Sequence, residues 1–237
     1  MYTLLSKAFQ KAKYYLRIMK GKEVYYPVDI RVRKKILGNY HAEWCIAPDY
    51  IKETDVIYSF GVGTDISFDL GLIKGYHCQV FAFDPTPRSI AWVAKQRLPE
   101  KLSFQEVGVA GTDGVIRFYP PANPEHVSFS TNVIHGAAGA VELPVARLRS
   151  IMDKLGHKRI ALLKMDIEGS EYEVIDDIIN SGIDVGQLLV EFHHRFDLAN
   201  LEKTRKAIDD LKKNGYKVFY ISPNGEEYSF IKQKNSD

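Results

Sequence analysis

A glycine turn followed by an acidic residue one strand later is the first feature of this chain that could bind a ligand. Gly61 and Gly63 stand in the stretch SFGVGTD (59–65), directly after an apolar run. Glycines let the backbone turn tightly and approach a ligand closely. Asp84 stands 23 residues beyond Gly61, where nucleotide-binding proteins place the carboxylate that holds a ribose. Together these residues predict a site for an adenosine-type ligand.

The charge around the turn selects among adenosine ligands. A dinucleotide fingerprint needs a third glycine where this chain has Ile66, and the Asp65 carboxylate would repel a pyrophosphate at the helix N-terminus. S-adenosylmethionine carries an ammonium and a sulfonium group and no phosphate, so a carboxylate beside the turn favours it. The residues therefore favour S-adenosylmethionine over NAD. The structural alternative is that Asp65 and Asp84 each cap a helix.

Such a site requires a sheet that brings strand ends together. From about residue 55, short apolar runs alternate with helical stretches that end at glycines. Strands are predicted at 55–60, 79–83, 102–107, 115–119, 143–145, 160–165, 188–192, 217–222 and 227–232. Helices are predicted at 66–74, 86–97, 146–155, 200–214 and from a capping box of Ser170 and Glu173 to Gly182. This alternation predicts an α/β fold with a doubly wound, mostly parallel sheet and a C-terminal antiparallel hairpin.

Composition excludes several classes of protein. The 237 residues carry 32 Lys and Arg against 30 Asp and Glu, a balance of +2, so no nucleic-acid partner is expected. Cys45 and Cys78 are too few for a disulfide framework and lack neighbours at zinc-finger spacing. We expect two packed thiols in a reducing compartment, the cytoplasm.

The N-terminal segment, residues 1–50, differs from the rest in charge. Residues 1–36 hold ten Lys and Arg against Glu23 and Asp29, a balance of +8. Apolar residues recur there at helical spacing, which predicts a basic amphipathic helix. No apolar run reaches the roughly 20 residues of a membrane span, and lysines interrupt any signal peptide. The helix either contacts a membrane surface or packs on its own domain or on a partner. The tyrosines of the segment either cap the ligand site or pack on the sheet.

Four stretches resemble the FkbM-type class I S-adenosylmethionine-dependent methyltransferases. VIYSFGVGTDISFDLGL (56–72) resembles that family's first glycine motif, with Ser59 in place of the usual acid, and VFAFDPTP (80–87) resembles its second-strand acidic motif. LLKMDIEGSEYEVI (162–175) matches its most specific signature, an Asp-x-Glu-Gly-x-Glu turn. LLVEFHHR (188–195) fits its Glu-x-His element. The likeness covers about residues 50–235.

This resemblance implies a Rossmann-like methyltransferase domain with a seven-stranded sheet over residues 51–237. It implies methyl transfer from S-adenosylmethionine to an oxygen, often a hydroxyl of a sugar or another small molecule. It also assigns cofactor-binding roles: Gly61 and Gly63 to the methionine part, Asp65 and Ser67 to its ammonium and carboxylate, Asp84 to the ribose, Glu106 and Val107 to the adenine, and Asp166 to the pocket wall.

Acid–base chemistry is expected at the next two strand ends. Neighbouring parallel strands lie about 4.8 Å apart, so Asp166 can approach Glu191 and His193, which share one side of their strand. His193 or Asp166 could take the proton of the acceptor hydroxyl. Alternatively, Asp166 and Glu168, with Glu191 or His193, could hold magnesium or manganese, which would lower the pKa of that hydroxyl.

Structural roles remain open for the same residues. The helix dipole alone favours Glu168 and Glu171 where they stand. His194 could be a structural histidine, and Glu191 could pair with Lys164. At the level of the whole chain, the alternatives to an O-methyltransferase are a noncatalytic cofactor-binding partner protein and, disfavoured by Asp65 and Ile66, a NAD-type oxidoreductase. Polar residues of a long loop could recognise the acceptor: His126, Ser128, Ser130, Asn132 and His135.

Overall fold

The computed structural model describes residues 2–118, 139–195 and 200–233. Its helices are α1 (Tyr2–Met19), α2 (Ser67–Tyr76), α3 (Pro87–Val93), α4 (Leu148–Leu155), α5 (Glu171–Asn180) and α6 (Asn200–Lys213). Its strands are β1 (Lys35–Leu37), β2 (Trp44–Ile46), β3 (Val56–Phe60), β4 (Gln79–Phe83), β5 (Leu102–Gln105), β6 (Gly108–Val109), β7 (Gly114–Phe118), β8 (Val141–Ala146), β9 (Ile160–Met165), β10 (Val185–Glu191), β11 (Tyr216–Ile221) and β12 (Glu227–Lys232).

A seven-stranded sheet in the order β11-β12-β10-β9-β3-β4-β5 forms the centre of the molecule. Strands β10, β9, β3, β4 and β5 run parallel, and β12 pairs antiparallel with both β10 and β11. The predicted doubly wound, mostly parallel sheet with its C-terminal hairpin is confirmed. Strand order reverses between β3 and β9, because the chain builds outward through β4 and β5 and then returns to the other side of β3. Ligands of such sheets bind at this reversal, beside the carboxyl ends of the strands.

Two apolar clusters cover the two faces of the sheet. Successive strand residues point to opposite faces, so Leu163 belongs to one cluster and Leu162 to the other. Helices α4, α5 and α6 pack on the first face, whereas α2 and the β1–β2 hairpin pack on the second. Burial on both faces explains why β9 reads as a continuous apolar run interrupted only by Lys164.

Several local predictions were wrong. The third parallel strand ends at Gln105 rather than residue 107, and β6 instead joins a separate three-stranded sheet of order β6-β8-β7. The side chain of Ser170 makes no capping hydrogen bond, so the predicted capping box is absent. Helix α3 ends at Val93 rather than near residue 97, ahead of Pro99.

The predicted loop residues His126, Ser128, Ser130, Asn132 and His135 lie outside the described residues.

A buried ion cluster attaches the N-terminal segment to the end of β10. The Glu23 carboxylate is fully buried, bonds to the His194 ring and accepts hydrogen bonds from Arg195 at 2.7 and 3.0 Å. Burial favours a higher pKa for Glu23, but His194 and Arg195 together hold it below its usual value. Tyr14 of α1 donates to the Val24 carbonyl at 2.9 Å. These contacts fix α1 beside the strand ends where the ligand site is expected.

Both cysteines are free and buried, and burial raises the pKa of each thiol to about 11, so they are packed thiols as expected. None of the helices in the described ranges combines the length and hydropathy needed to cross a bilayer.

Candidate functional site

The carboxyl ends of β3 and β9 touch at the strand-order reversal. Gly61 donates to the Phe83 carbonyl at 3.0 Å, and the amide of Asp166 donates to the Phe60 carbonyl at 3.2 Å. Gly61 has a φ of 83°, and a Cβ at this position would overlap the carbonyl oxygen of Asp166. Only glycine fits between the two strand ends, so this residue sets the floor of the site.

A cavity of about 500 Å³ opens above these strand ends. Its wall includes the glycine turn, the ends of β4, β9 and β10, and the N-terminal residues Lys7, Gln10 and 40–45. Two lysines line it, Lys7 and Lys164, against eight acidic residues: Glu43, Asp65, Asp69, Asp84, Asp166, Glu168, Glu191 and Glu227. The cavity wall therefore carries far more acidic than basic groups, which favours cationic ligands over phosphate.

Asp84 ties the glycine turn to the following helix. One carboxylate oxygen accepts the Gly63 amide at 2.9 Å, and the other accepts the amide and hydroxyl of Thr86 at 2.9 and 2.6 Å. Three of about four acceptor positions of the carboxylate are thus in use. Asp84 lines the cavity although it is nearly buried, so it combines the structural role with a position suited to a ribose hydroxyl.

Asp65 lines the cavity, whereas Ser67 is not among the described residues of the cavity wall. Asp65 accepts the Ser67 amide at 2.6 Å and the Asn39 side-chain amide at 3.0 Å, as a residue at a helix start does. Burial alone would raise the pKa of Asp65, but these hydrogen bonds hold it below its usual value. The Ser67 hydroxyl accepts the Asn39 amide at 2.7 Å. Asp65 remains a candidate ligand group, whereas Ser67 mainly holds the loop that carries Asn39.

Asp69 is a wall residue that sequence reasoning missed. It lies four residues after Asp65, in the first turn of α2, whereas Asp65 precedes the helix. Its carboxyl group is almost wholly buried, and its Oδ1 atom has no hydrogen-bond partner in the described part of the chain. Burial raises the pKa of Asp69 to about 6, although the Lys164 charge and Ser59 lower it. A buried carboxylate oxygen on a cavity wall is suited to a ligand that brings a cation.

Glu106 and Val107, predicted to border the adenine, are not among the described residues of the cavity wall. Glu106 is exposed and Val107 packs against the first apolar cluster, whereas Gly108 and Val109 line the cavity. The cause is the early end of β5, after which Gly108 and Val109 pair with Val145 and Ala146 of β8. A Cβ at Gly108 would press on Pro85 and Val145 at 3.2 Å, so this part of the wall is also closely packed.

The acidic turn after β9 is organised around His193. Glu171 is fully buried, accepts the Gly169 amide at 3.0 Å and lies 2.6 Å from Nδ1 of His193. Because an ionised carboxylate can only accept, Nδ1 carries the proton. Glu168 adopts a left-handed conformation with a φ of 52°, which turns its carboxylate to 3.4 Å from Nε2 of the same ring. The turn thus surrounds one imidazole with carboxylates.

His193 itself is buried and is not among the residues described along the cavity wall; Asp166 and Glu191 are. Its Nε2 atom lies 3.7 Å from Asp166 and 4.0 Å from Glu191. Burial alone would lower the pKa of His193, but Glu171, Glu168 and Asp166 raise it well above its usual value. Burial and the nearby Asp166 charge raise the pKa of Glu191. The structure therefore brings all three predicted catalytic residues together and exposes two of them to the cavity.

The predicted metal set is only partly brought together. Asp166, Glu191 and His193 each present one ligand atom within 4.8 Å of the others, as a metal ion requires. The third predicted carboxylate, Glu168, instead faces the His193 ring at 3.4 Å.

The contacts of Lys164 and His194 decide between the roles that the sequence left open for them. The Lys164 ammonium donates to the carbonyls of Phe60 and Gly61 at 3.1 and 2.6 Å and lies 3.8 Å from Asp166, so it braces the glycine turn rather than pairing with Glu191. His194 is buried on Glu23, which agrees with its structural alternative.

The profile of the methyltransferase FkbM domain matches residues 55–218. The probable methyltransferase-like protein 24 of Rattus norvegicus is 26% identical over 176 residues, which cover 69% of this chain and 42% of that protein. Its Homo sapiens counterpart is 25% identical over 140 residues, 58% of this chain and 32% of that protein. This chain thus spans less than half the length of these curated relatives.

Among solved structures, the chain is similar to the methyltransferase FkbM from Methylobacillus flagellatus KT. The two are 17% identical, with a TM-score of 0.46, over 76% of this chain and 44% of that one.

Proposed function

Because the chain belongs to the FkbM methyltransferase domain family, we propose that it transfers a methyl group from S-adenosylmethionine to a hydroxyl oxygen of an acceptor bound in the same cavity. The electronegative wall supports this proposal most directly. Eight carboxyl groups against two lysines would repel the pyrophosphate of NAD and would attract the sulfonium and ammonium of S-adenosylmethionine. The acceptor is a neutral or cationic small molecule with a free hydroxyl, a sugar being one such class.

The residues of the wall fit this cofactor. Asp69 Oδ1, buried and without a partner in the described ranges, offers the acceptor that an ammonium group needs. Asp84 retains one acceptor position for the ribose hydroxyls, and Gly61 and Gly63 let the ligand lie against the backbone. When bound, S-adenosylmethionine supplies an electrophilic methyl carbon on a cationic sulfur that leaves as a neutral thioether.

Glu191 is the proposed general base. It lines the cavity together with Asp166, and a base must reach the acceptor hydroxyl before its pKa matters. Lys164 lies 3.8 Å from Asp166 and offsets part of its charge, which leaves Glu191 as the better proton acceptor. His193, held by Glu171 behind the wall, positions both carboxylates. In this assignment the acceptor proton passes to Glu191 as the oxygen–carbon bond forms.

Calorimetry with S-adenosylhomocysteine tests cofactor binding. Asp84→Ala removes a ribose acceptor and two loop anchors, and hydrogen bonds to a charged group are worth about 1.5–3 kcal/mol each. We expect its affinity to fall by roughly 30-fold or more, whereas the exposed Asp153→Ala leaves it unchanged. Binding of NAD with no response to S-adenosylhomocysteine would reject the proposal in favour of an oxidoreductase.

A noncatalytic binding protein would behave differently once an acceptor is found. Turnover that Asp166→Ala or Glu191→Gln abolishes, with cofactor binding intact, excludes this alternative. Cofactor binding with no turnover of hydroxyl acceptors across sugar and small-metabolite classes supports it.

A divalent cation is the second candidate for activating the hydroxyl. Asp166, Glu191 and His193 could hold magnesium or manganese, which would lower the pKa of a bound hydroxyl. Magnesium prefers oxygen ligands, and the Lys164 ammonium already lies beside Asp166, so we expect EDTA to leave the activity unchanged. Loss of activity in EDTA that magnesium or manganese restores would favour the cation instead.

A further inference from the structure

Helix α1 is amphipathic, but its apolar side faces away from the protein. Lys7, Gln10, Tyr14 and Arg17 face the domain: Lys7 and Gln10 line the cavity, Tyr14 is buried, and Arg17 contacts Glu23 at 3.3 Å. On the opposite side the largest apolar side chains are exposed: Leu5 by 65%, Phe9 by 73%, Leu16 by 52% and Met19 by 75%. Ala8 and Ala12 complete this outward stripe. A helix that packs through its polar side leaves a continuous apolar stripe to be covered by something else.

The stripe is bordered by positive charge. Lys13 and Lys20, the residue directly after α1, lie along one edge and Lys11 along the other, and all three are exposed. The 18 residues of α1 contain no Asp or Glu. The acids that follow are engaged elsewhere, since Glu23 binds His194 and Arg195, and Asp29 contacts Lys212 at 2.8 Å. No carboxylate of α1 therefore neutralises the charge of the lysines that border the stripe.

We propose that α1 lies in the surface of an anionic lipid bilayer, with Leu5, Phe9, Leu16 and Met19 inserted and Lys11, Lys13 and Lys20 at the phosphate level. An apolar face between lysines is the arrangement of helices that bind in the plane of a membrane interface. Lysines near an anionic surface are attracted to it, and salt weakens this attraction. A second copy of the chain is the poorer occupant, because two such helices packed stripe to stripe would bring their lysine borders together.

This placement also orients the cavity. The side of α1 opposite the stripe forms part of the cavity wall through Lys7 and Gln10. A helix with its side chains is about 10 Å thick, so the cavity wall lies within one helix diameter of the lipid surface. The binding of α1 to a bilayer does not depend on methyl transfer, so it can be tested without cofactor or acceptor.

Vesicle flotation of the full chain tests the proposal, with phosphatidylcholine vesicles compared with vesicles that contain about 30% phosphatidylserine at about 0.1 M salt. We expect at least about tenfold stronger binding to the anionic vesicles, weakening as salt is raised. The double variant Phe9→Glu/Leu16→Glu removes two inserted side chains and should lose about tenfold or more of this binding.

The matched control is Ile36→Glu/Val115→Glu, which adds the same two negative charges at apolar side chains exposed by 45% and 62% outside α1. It should bind vesicles nearly as the unmodified chain does, and melting followed by circular dichroism confirms that both variants are folded. Absence of binding to either vesicle overturns the proposal, as does equal loss in both double variants. Self-association that disappears in Phe9→Glu/Leu16→Glu, without vesicle binding, shows instead that the stripe joins copies of the chain.

Discussion

The buried carboxyl group of Asp69 has opposite effects on folding and on the proposed binding. Burial raises its pKa to about 6, so the ionised form is disfavoured in the folded protein. Relative to a usual value near 3.9, a pKa of about 6 corresponds to about 3 kcal/mol at neutral pH. The native state holds this proton more tightly than the unfolded state does. Its contribution to stability is therefore present at low pH and is lost as pH rises through about 4 to 6.

Asp69→Asn should separate these effects. We expect the unliganded variant to gain about 1–3 kcal/mol in unfolding free energy at neutral pH, because a buried negative charge is removed. Its affinity for S-adenosylhomocysteine should fall by roughly tenfold to a hundredfold, because the ammonium loses a charged acceptor.

Urea denaturation and calorimetry measure the two quantities, with the exposed Asp153→Asn as control. In the unmodified protein the affinity should also decline below pH 6, as Asp69 takes up a proton, and this decline should be absent in the variant. An unchanged affinity in Asp69→Asn would remove Asp69 from the ligand site.

Glu191 is assigned the proton transfer, and its loss should affect the chemical step alone. General bases contribute about 100-fold to 10,000-fold to rate, so Glu191→Gln should lower kcat at least about 100-fold. Its affinity for S-adenosylhomocysteine should change by less than about threefold, because glutamine keeps the size of the side chain while removing the base. Glu43→Gln, which also removes one acid from the wall, serves as control. If kcat remains unchanged in Glu191→Gln, the base is another group.

At the scale of elements, the contact between β3 and β9 depends on one glycine. Gly61→Ala places a methyl group against the Asp166 carbonyl and forces a side chain into the left-handed region. Overpacking and backbone strain together predict a loss of about 3 kcal/mol or more. Gly156→Ala has a similar φ of 74° but open space around it, so it should lose only about 1 kcal/mol.

Chemical denaturation of the two alanine variants measures this difference, and S-adenosylhomocysteine binding should weaken only in Gly61→Ala. Equal losses of stability in the two variants would mean that backbone conformation alone, and not the close approach of Asp166, makes glycine necessary.

Strand and helix positions were predictable where the signal is local. Apolar runs marked β3, β4 and β9 within a residue or two, and Gly156 marked the end of α4. That Gly108 and Val109 line the cavity was not predictable, because it depends on pairing with β8 about 40 residues later. Asp69 was within reach of sequence reasoning through its spacing from Asp65, but only the packed sheet shows that this face of α2 borders the cavity.

At the scale of the whole molecule, residues distant in sequence complete the site. Glu23 meets His194 across 171 positions, and through this contact the N-terminal segment becomes part of the wall that β3, β4, β9 and β10 begin. The glycine turn, Asp84 and the acidic turn were recognisable because each lies within one short motif. The aromatic residues of the N-terminal segment suggested a cap over the site, but the spacing of Lys7, Gln10 and residues 40–45 does not relate them to the sheet, so these particular wall residues were not predictable.

We propose that one cavity binds S-adenosylmethionine through its carboxylates. A crystal structure with S-adenosylhomocysteine would show whether it does. We expect the ribose hydroxyls on Asp84, the ammonium group within hydrogen-bond distance of Asp69 or Asp65, and the thioether sulfur on the side of the cavity that faces Glu191. A ligand bound away from the Gly61 turn, or a dinucleotide with its phosphate oxygens on the Gly63 amide and Asp65 turned aside, would contradict it.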